Sequence, residues 1–244
     1  DGTVTSPPGY RQAYKRFVEA GWPAISFPEE WGGGGLPFVV GLAVAEMLTS
    51  ADMAFSLCPM LTYAADELLL LQGTEEQKAT FLPHLVSGEW TGTMLLTEAQ
   101  AGSDVGALTA KAVPAGDGTY RITGTKIFVT WGEHDLTDNI IHVTLARVPG
   151  APPGTKGISL FLIPKVLVND DGTLGARNDL VCVSIEEKVG IHASPTCVLS
   201  FGDNEGAVAY LVGEEQQGMR LMFIMMNTAR LHVGVQGMAV AERA

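Results

Sequence analysis

The chain predicts an α+β protein, with an N-terminal helical domain (1–90), a middle antiparallel β domain (91–212) and the start of a C-terminal helical bundle (213–244). Three observations predict it. Apolar residues recur at helical spacing from Gly9 to Ser87, the period shifts towards two from about Trp90 to Val212, and the helical period returns after Gly213. The chain has 244 residues, 46% hydrophobic and only 17% charged. Its mean hydropathy of +0.20 marks a sequence that builds cores.

The elements follow in order. Tyr10 to Ala20 reads as a helix with Tyr14, Phe17 and Val18 on one face. Gly21 to Gly35 (GWPAISFPEEWGGGG) is rich in breakers and reads as a loop that Trp22, Phe27 and Trp31 pin to a core. Leu36–Thr49 and Leu61–Leu71 are apolar nearly all round and predict buried helices. Gly73 ends the second. Thr74, with Gln77 three residues on, opens the next as a capping box, and that helix turns Phe81, Leu82 and Leu85 inward before Ser87-Gly88. Short β-branched runs then alternate with turn residues: TGTMLLT, ALTAKAV, TYRITGTKIFVT, NIIHVTLARV, GISLFLIP, LVCVSI, TCVLSF and AVAYLV. Asp117-Gly118 between two of them signals a hairpin. With no long helix among these runs, the sheet is expected to be antiparallel or mixed. PGAPPGTKG at 149–157 reads as a surface loop between strands. Gly218 to Ala244 is helical and ends without a capping signal, which predicts that the natural fold continues.

Composition narrows the function. With 27 acidic and 15 basic residues, the net charge of −12 excludes a counterion-displacing nucleic-acid binder. It also argues against an anionic membrane surface as partner. The longest unbroken apolar stretch, Phe38–Ala45, is far shorter than a membrane span of about 20 residues, and no secretory signal opens the chain. Cys58, Cys182 and Cys197 show no CxxC spacing and read as buried reduced thiols, which points to a cytoplasmic protein. The five histidines form no metal-ligand pattern, so no metal site is expected. Chemistry here needs an organic cofactor, or residues beyond this chain.

Two segments carry that chemistry. In MLLTEAQAGSDVGALTAKA (94–112) a strand ends at Thr97, and a loop of small residues delivers Ser103 beside Gly102, where a hydroxyl can meet a phosphate oxygen. In GTKIFVTWGEHDL (124–136), strand alternation puts Phe128 and Thr130 on one face, a ring and a hydroxyl suited to a flat heteroaromatic group. Taken singly, an ordinary turn and a half-buried strand explain each segment as well. Together, in this order and between helical domains, they resemble the acyl-CoA dehydrogenase family. PEEWGGGGLP, GTEEQKATFLPHLVSGEWTGTMLLTE, GTKGISLFLIPK and EEKVGIHASPTCVLSFGDNEGA are similar to a long-form branch that includes 3-(methylthio)propanoyl-CoA and broad-range fatty-acyl-CoA dehydrogenases.

The resemblance implies FAD as cofactor, an acyl-CoA substrate, an electron-transfer flavoprotein as electron acceptor, and a homo-oligomer. It implies that Met94, Leu96 and Thr97 line the flavin and that Gly102 and Ser103 meet its phosphate and the thioester end of the substrate. Phe128, Val129 and Thr130 would complete the wall, with Thr130 directed to flavin N5. Asn227 and Arg230 match positions that meet CoA. Two departures are notable: Ala99 replaces the family's proline, and Trp131, where a small or amide residue is usual, is placed to crowd the flavin edge. The family's glutamate base has no counterpart here, because its alternative position is Ala229; the base is expected beyond Ala244. Glu98 is assigned to backbone anchoring and Glu133 to loop anchoring, and Glu242 is not taken as the base. The methionines at 219, 222, 225 and 226 read first as core and second as an acyl-chain wall. His192 and His232 are given no part in proton transfer. Two further readings stay open: a non-catalytic flavin- or CoA-ester-binding subunit, and an oxidase or monooxygenase on the same fold.

Overall fold

The computed structural model describes residues 2–244. The helices are α1 (Tyr10–Glu19), α2 (Phe38–Ala51), α3 (Met53–Gln72) and α4 (Glu75–Ser87), with α5 (Gly218–Arg243) at the far end of the chain. Between α4 and α5 run β1 (Thr91–Leu95), β2 (Lys111–Pro114), β3 (Tyr120–Thr130), β4 (Ile140–Arg147) and β5 (Ile158–Pro164). They are followed by β6 (Val166–Val168), β7 (Leu174–Arg177), β8 (Leu180–Ile185), β9 (Thr196–Phe201) and β10 (Ala207–Leu211).

The helical domain forms largely as its periodicity requires. Tyr14 and Phe17 of α1 are buried, and the Tyr14 hydroxyl donates to Gly88 O at 2.9 Å. The capping box of α4 is formed: Gln77 N donates to Thr74 Oγ1 and Thr74 N to Gln77 Oε1, each at 3.1 Å. Phe81, Leu82 and Leu85 point inward. Three expectations need correction. α3 begins at Met53, capped by Asp52 accepting from Phe55 N at 3.0 Å; Pro59, a residue that normally breaks helices, hid its first turns. At 20 residues α3 is long and apolar enough to cross a membrane, yet 72% of its most apolar window is buried inside the fold, as in a core helix. By contrast α2 is mostly outside. Only Thr49 is buried, while Val39 and Met47 are about 70% exposed, because α2 meets α3 and α5 along one side. In the connection before it Phe27 is buried and Trp31 is half-buried against the core, whereas Trp22 is 45% exposed and lies outside the core cluster.

The β domain has a main sheet in the order β1-β4-β5-β10-β3-β9-β8, with β2 bridging β3 and β4. The Lys111–Arg147 pairing of β2 with β4 therefore closes a circuit through β4, β5, β10, β3 and β2. Neighbours run antiparallel except where β1 and β2 meet β4, so the sheet is mixed. The β6–β7 hairpin escaped the sequence reading because its residues are half-buried or exposed throughout and show no alternation.

β4 separates two cores. Ile141, Val143 and Leu145 pack with Leu68, Leu82, Met222 and Met225 of the helices, whereas Ala146 packs with Leu95, Phe161 and Ile163 inside the β domain. Gly92 permits the close seat of α3 on β1: a Cβ there would lie 2.6 Å from Ala65 Cβ.

Between α1, α2, α3 and α5 lies a cavity of about 60 Å³, walled by Phe17, Phe38, Leu48 and Met60. Asp66 also lines it, 3% exposed, and its Oδ1 has no hydrogen-bond partner. Burial raises its carboxyl well above the usual carboxylate range. Below the unfolded pKa of about 3.9 both states are protonated and no penalty arises. As pH climbs from there towards the raised folded value, only the unfolded state ionises, and stability is lost. Asp66→Asn is expected to remove this slope and to raise the melting temperature at pH 7 by about 2–4 °C per kcal/mol regained. Thermal unfolding between pH 4 and 8 tests it; an unaltered slope contradicts it.

Candidate functional site

The two chemistry-bearing segments fold side by side. β1 runs on through Leu96 and Thr97, where Thr97 O accepts from Ile127 N at 3.0 Å, and the Thr93 hydroxyl donates to Thr130 O at 2.6 Å. Met94, Leu96, Thr97 and Thr130 are half-buried along this junction. Phe128 stands out from it, 59% exposed.

Simple alternation does not produce this arrangement. Between Lys126 and Val129 the register of β3 against β9 shifts by a bulge, and Phe128 takes a left-handed φ of +57°. Lys126 and Val129 both point inward, so Phe128 is pushed out by the bulge. Val129, predicted to face the cofactor, is 1% exposed and packs with Cys197 in the β core; it can offer only its backbone. Trp131, also left-handed at +53°, does not crowd the wall. Its ring turns into the helical domain, where Nε1 donates to Ala54 O at 3.1 Å and the ring stacks on Tyr10 at 6.3 Å. Non-glycine residues in this region cost about 1–3 kcal/mol and gather at functional sites, so two of them flanking Val129-Thr130 mark the spot.

Beneath the wall is an ion pair that the sequence reading missed. Lys126 is fully buried, and its Nζ donates to Glu98 Oε1 at 2.9 Å and to Leu96 O at 3.0 Å. Glu98 also accepts from Thr109 N at 2.7 Å and Ala110 N at 3.1 Å, the backbone-anchoring role expected of it. Burial alone would raise the Glu98 carboxyl, but the Lys126 charge and these donors hold it below the usual range. For Lys126 burial wins over the attraction of Glu98 and lowers its pKa. The available signal was a lysine two pleats along from Ile122, a charge on the core-facing register of β3. The turn itself is closed by reciprocal bonds, Glu98 N to Ala101 O and Ala101 N to Glu98 O, so Ala99 needs no proline ring to hold it. Gly102 and Ser103 then emerge into solvent, and Ser103 makes no hydrogen bond among the described residues.

Glu133 and His134 are structural. Glu133 accepts from Lys165 Nζ and from Arg177 Nη2 at 3.0 Å, which ties the loop to β7 and the end of β5. Leu136 N donates to His134 Nδ1, so Nε2 carries the proton and donates to the Thr91 hydroxyl at 3.0 Å. Burial, with the Lys165 charge nearby, pushes the His134 pKa down to about 3. His232 is buried beside Phe38 and Tyr63 with Nδ1 donating to Thr228 O, and His192 is exposed.

On α5, Met222 and Met225 are core, and Met219 and Met226 pack against it together with Met94 and Leu96. Asn227 and Arg230 are on the exposed side of α5, with Arg230 Nη1 donating to Asn227 Oδ1 at 3.0 Å. Ala229 is half-buried between them, while Glu67 of α3 accepts from the Thr228 hydroxyl.

Residues 5–89 match the acyl-CoA dehydrogenase N-terminal domain, and residues 93–204 match the acyl-CoA dehydrogenase middle domain. The chain belongs to the acyl-CoA dehydrogenase family. It is 54% identical, over its whole length, to 41% of the 3-methylmercaptopropionyl-CoA dehydrogenase of Ruegeria pomeroyi. Among solved structures it resembles an acyl-CoA dehydrogenase of Bacillus anthracis complexed with FAD, at TM-score 0.80 and 27% identity over 96% of this chain and 37% of that one. A chain from a structure described as the electron transferring flavoprotein of Acidaminococcus fermentans also matches at TM-score 0.80, with 29% identity over 96% of this chain and 57% of that one. The chain spans between 39% and 58% of the length of the curated relatives it matches. The boundaries of the family's two domains fall where helix gives way to strand, at Glu89–Thr93.

Proposed function

We propose that this chain supplies the N-terminal and middle domains of an FAD-dependent acyl-CoA dehydrogenase that introduces an α,β double bond into an acyl-CoA thioester. The observation that carries this reading is the hydrogen-bonded junction of residues 93–97 with 127–130, which leaves a ring and hydroxyls free on one wall. These residues suit FAD. An exposed aromatic ring at Phe128 can cover one face of a flat heteroaromatic group, and Ser103 is an unengaged donor for a phosphate oxygen. When bound, the flavin supplies the acceptor for the β-hydride.

The chain's own residues do the rest of the placing. Met94 and Leu96 give the wall its apolar floor and keep water from it, while the Thr97 and Thr130 hydroxyls orient the polar edge. Glu98 and Lys126, joined beneath, fix the spacing of the two segments. The α-proton goes to a glutamate that we place outside residues 1–244, since Ala229 offers no carboxylate. We further propose a homo-oligomer working in the cytoplasm, with electrons leaving to an electron-transfer flavoprotein; the three buried, free cysteines support a reducing compartment.

The test is an anaerobic titration of the complete protein. Uptake of FAD, with yellow flavin bands that bleach on adding a short-chain acyl-CoA, is the expected result. A protein that takes up no FAD defeats the reading. One that binds FAD and acyl-CoA yet never bleaches favours a non-catalytic subunit, the alternative to which Ala229 lends support.

A further inference from the structure

Arg147, the last residue of β4, makes an unusual set of contacts. Its Nε donates to Leu108 O at 3.0 Å and its Nη1 to Pro152 O at 3.0 Å, and Nη2 donates to both Gly106 O and Gly154 O. Every partner is a backbone carbonyl. Among the described residues no carboxylate lies within 4.0 Å of it. The four carbonyls belong to two loops: the segment that continues the Ser103 turn, and the Pro/Gly-rich 149–157 loop. A planar fork with fixed donor directions can bridge them as a single flexible ammonium cannot.

The two loops are shaped to receive this fork. A Cβ at Gly157 would lie 1.8 Å from Pro152 O and 2.8 Å from Arg147 Nη1, so the loop closes on the guanidinium only with glycine there. A Cβ at Gly106 would come 3.4 Å from Gly154 Cα, so the loops themselves touch. The main chain adds a further tie, with Arg147 N donating to Ala110 O at 2.9 Å. The Ser103 turn is thus held at both ends: by Glu98 with its buried lysine before it, and by Arg147 after it.

We propose that Arg147 is a positioning residue for the cofactor, fixing the 103–108 segment so that Ser103 faces a phosphate while Arg147 itself stays behind the loop. The proposal rests on the flavin reading above and adds to it a residue that the ligand never touches. Without Arg147 four carbonyls lose a charged donor, and the loops separate.

The experiment compares Arg147→Ala with the wild type in the complete protein, by FAD dissociation constant and by limited proteolysis of the flavin-free form. The variant is expected to bind FAD about tenfold more weakly or worse, and to be cut faster within 149–157. Millimolar guanidinium ion, but not ammonium at equal ionic strength, is expected to restore binding, an effect that a general loss of folding would not show. Equal affinity in the two proteins overturns the proposal, as does weakened binding that guanidinium leaves unchanged. If the wild type takes up no FAD, the flavin reading itself fails. Proteolysis of the flavin-free forms then still reports separately whether Arg147 holds the loops.

Discussion

Replacing Glu98 by glutamine is expected to destabilise the protein by about 3–5 kcal/mol and to cost it the cofactor. Lys126 has no exposed surface, and with the carboxylate gone its ammonium keeps one carbonyl, Leu96 O, and a neutral amide. A buried charge stripped of its counter-ion carries most of its desolvation penalty uncompensated. Lys126→Met is expected to cost less. Glu98 would keep its donors from Thr109 N, the Thr109 hydroxyl, Ala110 N and Gln100 Nε2. The double variant Glu98→Gln/Lys126→Met is expected to recover much of the loss, because no unpaired charge remains. Urea denaturation of the four proteins measures the coupling. The pH dependence gives a second handle, since the folded pKa of Glu98 is depressed. The stabilisation from the pair is therefore full above the unfolded glutamate pKa of about 4.3 and disappears as pH falls through the lower folded value. Loss on acidification should be smaller in the double variant. A Glu98→Gln protein as stable as the wild type would show that the pair does not hold the two segments together.

The second large effect separates two neighbouring aromatics. Trp131→Ala is expected to cost about 3–5 kcal/mol, as for other large buried aromatics, because its ring is 1% exposed and joins β3 to α1 and α3. The indole bond to Ala54 O and the stack on Tyr10 go with it. Phe128→Ala, three residues earlier and 59% exposed, is expected to leave stability within about 0.5 kcal/mol. Its effect should appear instead in the absorption envelope and affinity of the bound flavin. Melting curves and flavin titrations of both variants decide. If Phe128→Ala melts early and Trp131→Ala changes only the flavin, the orientations assigned here are reversed.

Much of the architecture could be read from the chain. The Thr74–Gln77 box, the inward face of α4, the strands other than β6 and β7, and the Asp117-Gly118 hairpin are local consequences of spacing and turn chemistry. α2 is less buried than its apolar sequence predicts, for a physical reason. An apolar helix shows no polar face from which to tell how many sides its neighbours will cover. At the site, the motifs named Thr97, Ser103, Phe128 and Thr130, and Phe128 and Thr130 do alternate about the inward Val129; what alternation could not show is the bulge after Lys126 that turns Phe128 outward. Glu98 could be read as an anchor for amides. Its partner Lys126, 28 residues along, could not, because pairing at that range depends on how two strands lie.

The sequence alone determined the order of helical, β and helical domains, the positions of most elements, and the family whose motifs it carries. These properties follow from near neighbours along the chain, through periodicity, capping and turn residues. Only the tertiary structure decided which way Trp131 turns, that Val129 belongs to the core, and that Lys126 and Arg147 brace the Ser103 turn from either side. Such outcomes depend on burial, and burial is set jointly by segments that the chain keeps far apart.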